Sequence, residues 1–245
     1  MTKTVKRSAR IERGSKVPVN LIPRGFDYEL AVAHLHKRDR KLAAWMKKIG
    51  PLERDFNVHF DPVDALARAI LYQQLSGKAA ATIVGRVEKL MPRGKKITVA
   101  GIEGASDEAL RAAGVSRNKI AALRDLAAKS RAGIVPTQKQ LARMGDQELI
   151  DHLIQVRGIG RWTVEMMLMF RLGRADVLPV HDLGIRKGAQ IVHRMKEMPK
   201  PLELEEFGEI WAPYRTLASF YLWKICEAAN PPKKKNGKAV KRSQD

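Results

Sequence analysis

Residues 149–188 read LIDHLIQVRGIGRWTVEMMLMFRLGRADVLPVHDLGIRKG, and their pattern decides the architecture. Leu149, Ile150, Leu153 and Ile154 recur at helical spacing behind Asp146, which predicts a short amphipathic helix capped by that aspartate. Gly158 and Gly160 flank Ile159, so the chain can turn tightly with positive φ while Ile159 plugs the gap between two helices. From Arg161 to Phe170 the residues are mostly apolar, which predicts a second helix. The hairpin therefore spans 147–171. An extended bridge through Pro179 then leads to Asp182 at the start of a further helix from Leu183.

The surrounding chain limits what this hairpin serves. With 245 residues and 44% hydrophobic content, the protein can bury one sizeable core or two small lobes, and no apolar run is long enough to span a membrane. The first 16 residues are basic and polar rather than of signal-peptide type, which predicts an intracellular protein: cytoplasm and nucleoid in a prokaryote, nucleus in a eukaryote. The lone cysteine, Cys226, can form no internal disulfide and cannot by itself hold zinc or an iron-sulfur cluster.

Lysine and arginine number 46 against 26 acidic residues, a formal charge of +20 that predicts a polyanionic partner. Segments 1–16 and 230–245 each carry six basic residues and one acidic residue, so half of the net charge remains on the middle of the chain. The basic arms, 1–25 and 231–245, read equally as solvating tails and as non-specific phosphate binders.

Between the arms the pattern is helix after helix, so the fold class is all-α. Two short helices between Phe26 and Gly50 join near His36 to Asp39. Phe56, Val58 and Phe60 alternate with polar residues as a brief extended segment. Asp61-Pro62-Val63-Asp64 has a cap, a first-turn proline and an acidic first turn, and its helix is expected to run to about Leu75. Ser76, Ser106, Ser116 and Thr137 mark further starts; Pro92, Gly114 and Gly133 mark stops.

The first N–H groups of the second hairpin helix, at Gly160, Arg161 and Trp162, can bind a phosphate oxygen without reading a base. A lone Gly-x-Gly turn is equally an ordinary helix connector, and the surplus of positive charge favours the phosphate. Asp182 at a helix start reads, from the residue alone, as an N-cap whose ionised form the helix dipole favours.

Ile154-Gln155-Val156-Arg157-Gly158-Ile159-Gly160-Arg161-Trp162-Thr163, followed by Val177-Leu178-Pro179-Val180-His181-Asp182-Leu183, resembles the helix-hairpin-helix (HhH-GPD) DNA glycosylase superfamily. Within it the match is to the 3-methyladenine glycosylase II and yeast-type alkylbase enzymes. Ala69–Ser76, Gly114-Val115-Ser116 with Lys119, Pro213–Thr216 and Tyr221-Leu222-Trp223 extend the likeness across residues 27–228.

This resemblance implies a two-lobed helical glycosylase with its active site in the cleft between lobes. One lobe would be 61–178, and the other 26–60 plus 179–230. It implies a monomer that flips alkylated purines out of double-stranded DNA, with 3-methyladenine first and 7-methylguanine, ethenoadenine and hypoxanthine behind it. Uracil or an oxidised base, and a catalytically inert DNA-binding module, are the competing readings. The resemblance gives Asp182 the catalytic role, a carboxylate that stabilises a sugar cation and orients or deprotonates water, where the residue alone could be only a cap. Trp162 stands where the lyase branch carries a lysine that forms a Schiff base, which implies hydrolysis by water and no strand cleavage. No cofactor is implied for catalysis and no iron-sulfur cluster.

Trp162 and Trp223 are candidate pocket walls, whose indole faces attract a cationic purine, and Tyr72, Met166 and His181 join them. For Trp223 a core position is an equal reading. Gln73, Gln74, Ser116, Arg117, Arg157, Gly158, Gly160, Arg161 and Thr163 are candidate DNA contacts. The wedge that fills the space of a flipped base falls to Arg117, Leu75 or Val115. Main-chain carbonyls of Ile154, Val156 and Ile159 would hold a Na+ or K+ ion. Many relatives carry two acidic residues where this chain has His181-Asp182, so His181 either bonds to Asp182 or merely packs beside it.

Overall fold

The computed structural model describes residues 25–52, 59–92 and 94–229. The expected extended segment at Phe56 and Val58 and both basic arms lie outside the described residues, apart from Gly25 itself. Every regular element among the described residues is helical. They divide into two compact units, one of residues 59–160 and the other of 25–52 with 161–229.

The first unit holds the third to ninth helices of the chain: α3 (Pro62–Tyr72), α4 (Gly77–Lys89), α5 (Val99–Gly104), α6 (Asp107–Ala112), α7 (Arg117–Arg131), α8 (Gln138–Leu141) and α9 (Asp146–Leu153). Caps set these starts. Asp61 Oδ1 accepts the N–H groups of Val63 and Asp64, and the hydroxyls of Ser76, Ser106, Ser116 and Thr137 each accept the N–H three residues on. Leu66, Ile70, Leu71, Val84, Leu123, Leu126, Leu149 and Leu153 form its core.

Two boundaries differ from the pattern. The helix from Pro62 stops at Tyr72 instead of running to Leu75, because Gln74 takes φ +58° and the Lys119 ammonium takes the carbonyls of Leu71 and Gln73 at 2.7 and 2.8 Å. Gly145, not Asp146, is the cap of α9; Asp146 is its first residue, and the Glu148 carboxylate accepts the Gly145 N–H at 3.2 Å. The short helix α5 was not marked by any start signal singled out above; Thr98 caps it.

The second unit holds α1 (Tyr28–Arg38), α2 (Arg40–Ile49), α10 (Arg161–Phe170), α11 (Leu183–His193), α12 (Pro201–Gly208), a 3-10 turn at Glu209–Trp211 and α13 (Arg215–Ala229). Helices α11 and α13 lie so close that a Cβ on Gly188 would fall 2.3 Å from the Leu222 carbonyl oxygen. The division between units therefore falls after Gly160 and not after 178 as the lobe boundaries above have it. Segment 161–178 stays with α13 for physical reasons. Phe170 stacks on Trp223 at 5.7 Å, Arg215 grips Asp176 through two nitrogens at 2.7 and 2.9 Å, and Thr216 bonds to Arg174, Ala175 and Val177.

Asp39 joins α1 to α2. Its Oδ1 caps α2 through Lys41 and Leu42, and its Oδ2 takes the Trp211 indole N–H at 2.8 Å and lies 3.2 Å from His193 Nε2. Burial acts to raise the pKa of this carboxyl, but His193, the Leu42 N–H and Trp211 outweigh it and hold the group below the usual carboxylate range. A depressed carboxyl contributes stability that is present above its unfolded pKa and lost as pH falls through its folded one. The difference in Tm between wild type and Asp39→Asn is thus expected to be open at neutral pH and to narrow below about pH 4. Thermal melts of both proteins across that range check it.

Candidate active site

The turn after α9 carries candidate DNA contacts of the first unit. Gly158 has φ +79°, a conformation that other residues rarely adopt, and its carbonyl accepts the Gln73 side-chain amide at 2.8 Å. Gly160, expected to share the positive φ, is not in that region, and a Cβ there would meet nothing within 4 Å. One left-handed residue suffices for this turn. Asp125 Oδ2 accepts the Arg157 N–H at 2.7 Å, and Ile159 is buried.

The candidate contact residues of this unit sort by exposure. Tyr72, Gln74 and Leu75 are exposed at the end of α3, with Gln74 in the left-handed region. Gln73 is half-buried and committed to the hairpin through Gly158. Ser116 caps α7, and Arg117 is its exposed first residue. Val115 is fully buried, which removes it as a wedge: a side chain with no exposed surface cannot enter a base stack. Ile154 and Arg157 are exposed, and Val156 is buried.

The second unit carries the carboxylate. Asp182 is the N-cap of α11, and its Oδ1 accepts the Ile185 N–H at 2.9 Å. That same oxygen accepts the Trp223 indole N–H at 2.8 Å, and Oδ2 accepts the Trp162 indole N–H at 2.8 Å. Asp182 is thus a cap, and more than a cap. Both candidate pocket tryptophans converge on it, each presenting its N–H edge. The plane of Trp223 stacks against Phe170 and Phe220, whereas Trp162 is 49% exposed. Met166 and Thr163 lie half-buried on α10, and His181 is exposed and is not among the donors to Asp182.

Two further residues take part that the pattern did not single out. Glu165 is 4% exposed on α10 and pairs with Arg161 at 3.0 Å. Burial pushes its pKa up, Arg161 and the charge of His181 act against that, and the negative Asp182 adds to it. Its signal was a lone acid inside the apolar run Val164 to Phe170. Gly184 is the other: a Cβ there would lie 2.9 Å from Trp223 Cδ1 and 3.2 Å from Asp182 Oδ1, so only glycine leaves room for the indole to reach the carboxylate. Among the described residues, no group of three or more His, Cys, Asp and Glu converges as a metal cluster would.

Residues 67–213 match the HhH-GPD superfamily of base excision DNA repair proteins, and the chain belongs to that family. It is 37% identical over 201 residues to DNA-3-methyladenine glycosylase 1 of Schizosaccharomyces pombe, covering 82% of this chain and 88% of that protein. The alkylbase DNA glycosidase-like protein mag2 of the same yeast is 29% identical over 205 residues, covering 81% and 94%. Among solved structures, the S. pombe 3-methyladenine DNA glycosylase in complex with abasic DNA superposes with a TM-score of 0.71 at 38% identity, over 80% of this chain and 95% of that one. A DNA-3-methyladenine glycosidase from Bacillus halodurans superposes with a TM-score of 0.72 at 36% identity, over 80% and 88%.

Proposed function

We propose that this chain is a monofunctional DNA glycosylase that flips alkylated purines from double-stranded DNA and releases them by hydrolysis, acting as a monomer. The observation that carries the reading is Asp182, a carboxylate at a helix start that receives three converging donors, in a member of a base excision repair family. The likeness to enzymes named for 3-methyladenine supports the alkylpurine class. Flipping costs a few kcal/mol, least for a damaged pair. Leu75 and Arg117, with Gln74 beside them, are the exposed side chains offered as wedge; the hairpin N–H groups, Arg157 and Arg161 would grip phosphates.

In the reaction the glycosidic bond breaks with its electron pair leaving on the purine, and positive charge develops on the deoxyribose. The Asp182 carboxylate stabilises that charge. Water then forms the bond to C1′ and gives up its proton to the Asp182 carboxylate, which returns it to solvent, and an abasic site is left. A purine alkylated at N3 or N7 is cationic before it departs, so it is a good leaving group, and the half-exposed Trp162 ring offers such a cation an electron-rich face.

Trp162 in place of a lysine supports release without strand cleavage, since an indole forms no Schiff base. Methylated duplex is expected to yield free bases and alkali-labile sites, with no nick before base is added. Trapping of a protein-DNA adduct by borohydride would overturn the monofunctional reading, and equal retention of damaged and undamaged duplex with no base released would leave only a binding module. Mass spectrometry of the bases freed from a mixed-lesion duplex ranks alkylpurines against uracil and oxidised purines.

The turn after α9 is also the proposed seat of a monovalent cation. Ile154, Val156 and Ile159 could present main-chain oxygens there. The Val156 carbonyl accepts one N–H, from Ile159 at 2.9 Å, which leaves it a second acceptor site. Such an ion would tie the turn together and add positive charge beside the phosphate track.

A further inference from the structure

The hydrogen bonds to Asp182 leave little of it unused. A carboxylate offers roughly four acceptor sites on its two oxygens. Oδ1 takes Ile185 and Trp223, and Oδ2 takes Trp162. An ordinary helix cap would stop at Ile185, with Oδ2 left to water and the carboxylate free to rotate. Here the other two donors come from different helices, α10 and α13, and together they fix the plane of the group.

The fold makes room for this. Trp223 is backed by Phe170 and sits over Gly184, where any side chain would displace it. Trp162 is half exposed, and its one polar atom still donates to the carboxylate, at 2.8 Å, in a hydrogen bond that lies at the surface. Such an orientation means that the indole N–H, and not only the ring face, has a task at this site.

We propose that the indole N–H groups of Trp162 and Trp223 are positioning groups for Asp182, which leave a single acceptor site on Oδ2 as the part of the carboxylate that acts on the sugar. The inference rests on the reading of Asp182 as the catalytic group. Its consequence is that ring shape alone does not replace either tryptophan: phenylalanine keeps an aromatic face and loses the donor.

The test uses the full chain. Single-turnover release of 7-methylguanine from a duplex is measured for wild type, Trp162→Phe, Trp223→Phe, Gly184→Ala, Asp182→Ala and the double variant Trp162→Phe with Asp182→Ala. Binding is measured to two uncleavable duplexes, one with a neutral tetrahydrofuran and one with a cationic pyrrolidine in place of the deoxyribose. Each Trp→Phe change is expected to slow release about 10- to 100-fold. Tetrahydrofuran duplex should still bind within about twofold, and the preference for pyrrolidine should fall with the rate.

Gly184→Ala, which keeps both indoles, should slow release about tenfold or more by moving Trp223. In the Asp182→Ala background, Trp162→Phe should cost nothing further, because residues that act as a unit are not additive. Wild-type rate in Trp162→Phe, equal slowing with or without Asp182, or weakened tetrahydrofuran binding with an unchanged pyrrolidine preference would each overturn the proposal. If Trp223→Phe unfolds for want of its contacts to Phe170, the half-exposed Trp162 decides alone. Wild-type rate in Asp182→Ala would instead overturn the catalytic reading itself.

Discussion

Asp182→Asn is expected to lower the rate of base release by about a thousandfold or more while the protein stays folded. Asparagine is as good a helix cap as aspartate, so α11 keeps its start. Its side-chain oxygen can still accept from Ile185 and Trp223, in the place of Oδ1. Its amide nitrogen would then face the Trp162 N–H, donor against donor, in the place of Oδ2. Because Trp162 is half exposed, water can take up that N–H, and the loss of stability should stay near 1 kcal/mol. What disappears is the negative charge that, in the proposed mechanism, stabilises a cationic deoxyribose. Single-turnover release on methylated duplex, with circular dichroism to verify folding, makes the measurement; a folded variant with wild-type turnover would sink the mechanism.

Gly188→Ala is expected to be the most damaging single methyl group in the second unit. Its Cβ would fall 2.3, 2.7 and 2.9 Å from the O, C and Cα atoms of Leu222, all backbone of α13, so no side chain can rotate away. Helix α13 must shift as a body or α11 must bend. Overpacking of this kind costs up to about 3 kcal/mol and occasionally more, which in a chain of this length lowers Tm by roughly 6–12 °C. Activity should fall beyond the loss of folded protein, because Trp223 follows Leu222 directly and moves with it away from Asp182. Gly85→Ala is the control: nothing lies within 4 Å of its Cβ in the middle of α4, and alanine there should be neutral or stabilising by up to about 1 kcal/mol. Equal melting temperatures for Gly188→Ala and wild type would contradict the close approach of the two helices.

Both variants probe the same dependence from two ends, one at the carboxylate and one at the helix contact that carries an indole to it. They also mark where pattern stops being informative. The helix starts at Asp61, Ser76, Ser106, Ser116 and Thr137 were legible because capping is a local bargain between one side chain and an N–H three residues away. The turn at Gly158 and the placement of Asp182 at a helix start were legible for the same reason. The end of α3 was not, since a lysine 46 residues beyond Gln73 takes its carbonyls. Nor was the burial of Val115, because the segment Gly114-Val115-Ser116 looks like an exposed turn until its neighbours are in place.

The sequence by itself determined the all-helical class and the hairpin, and it singled out Asp182, Trp162 and Trp223, which the structure brings into hydrogen-bond contact. Only the tertiary structure decided that each indole turns its N–H to Asp182, that a Cβ at Gly184 would crowd Trp223, that Glu165 is buried and that the chain passes from one unit to the other at Gly160. The physical reason is the range of the interactions. Helix signals act within one turn, whereas the direction of an indole N–H depends on the packing of α10, α11 and α13, which no local pattern encodes.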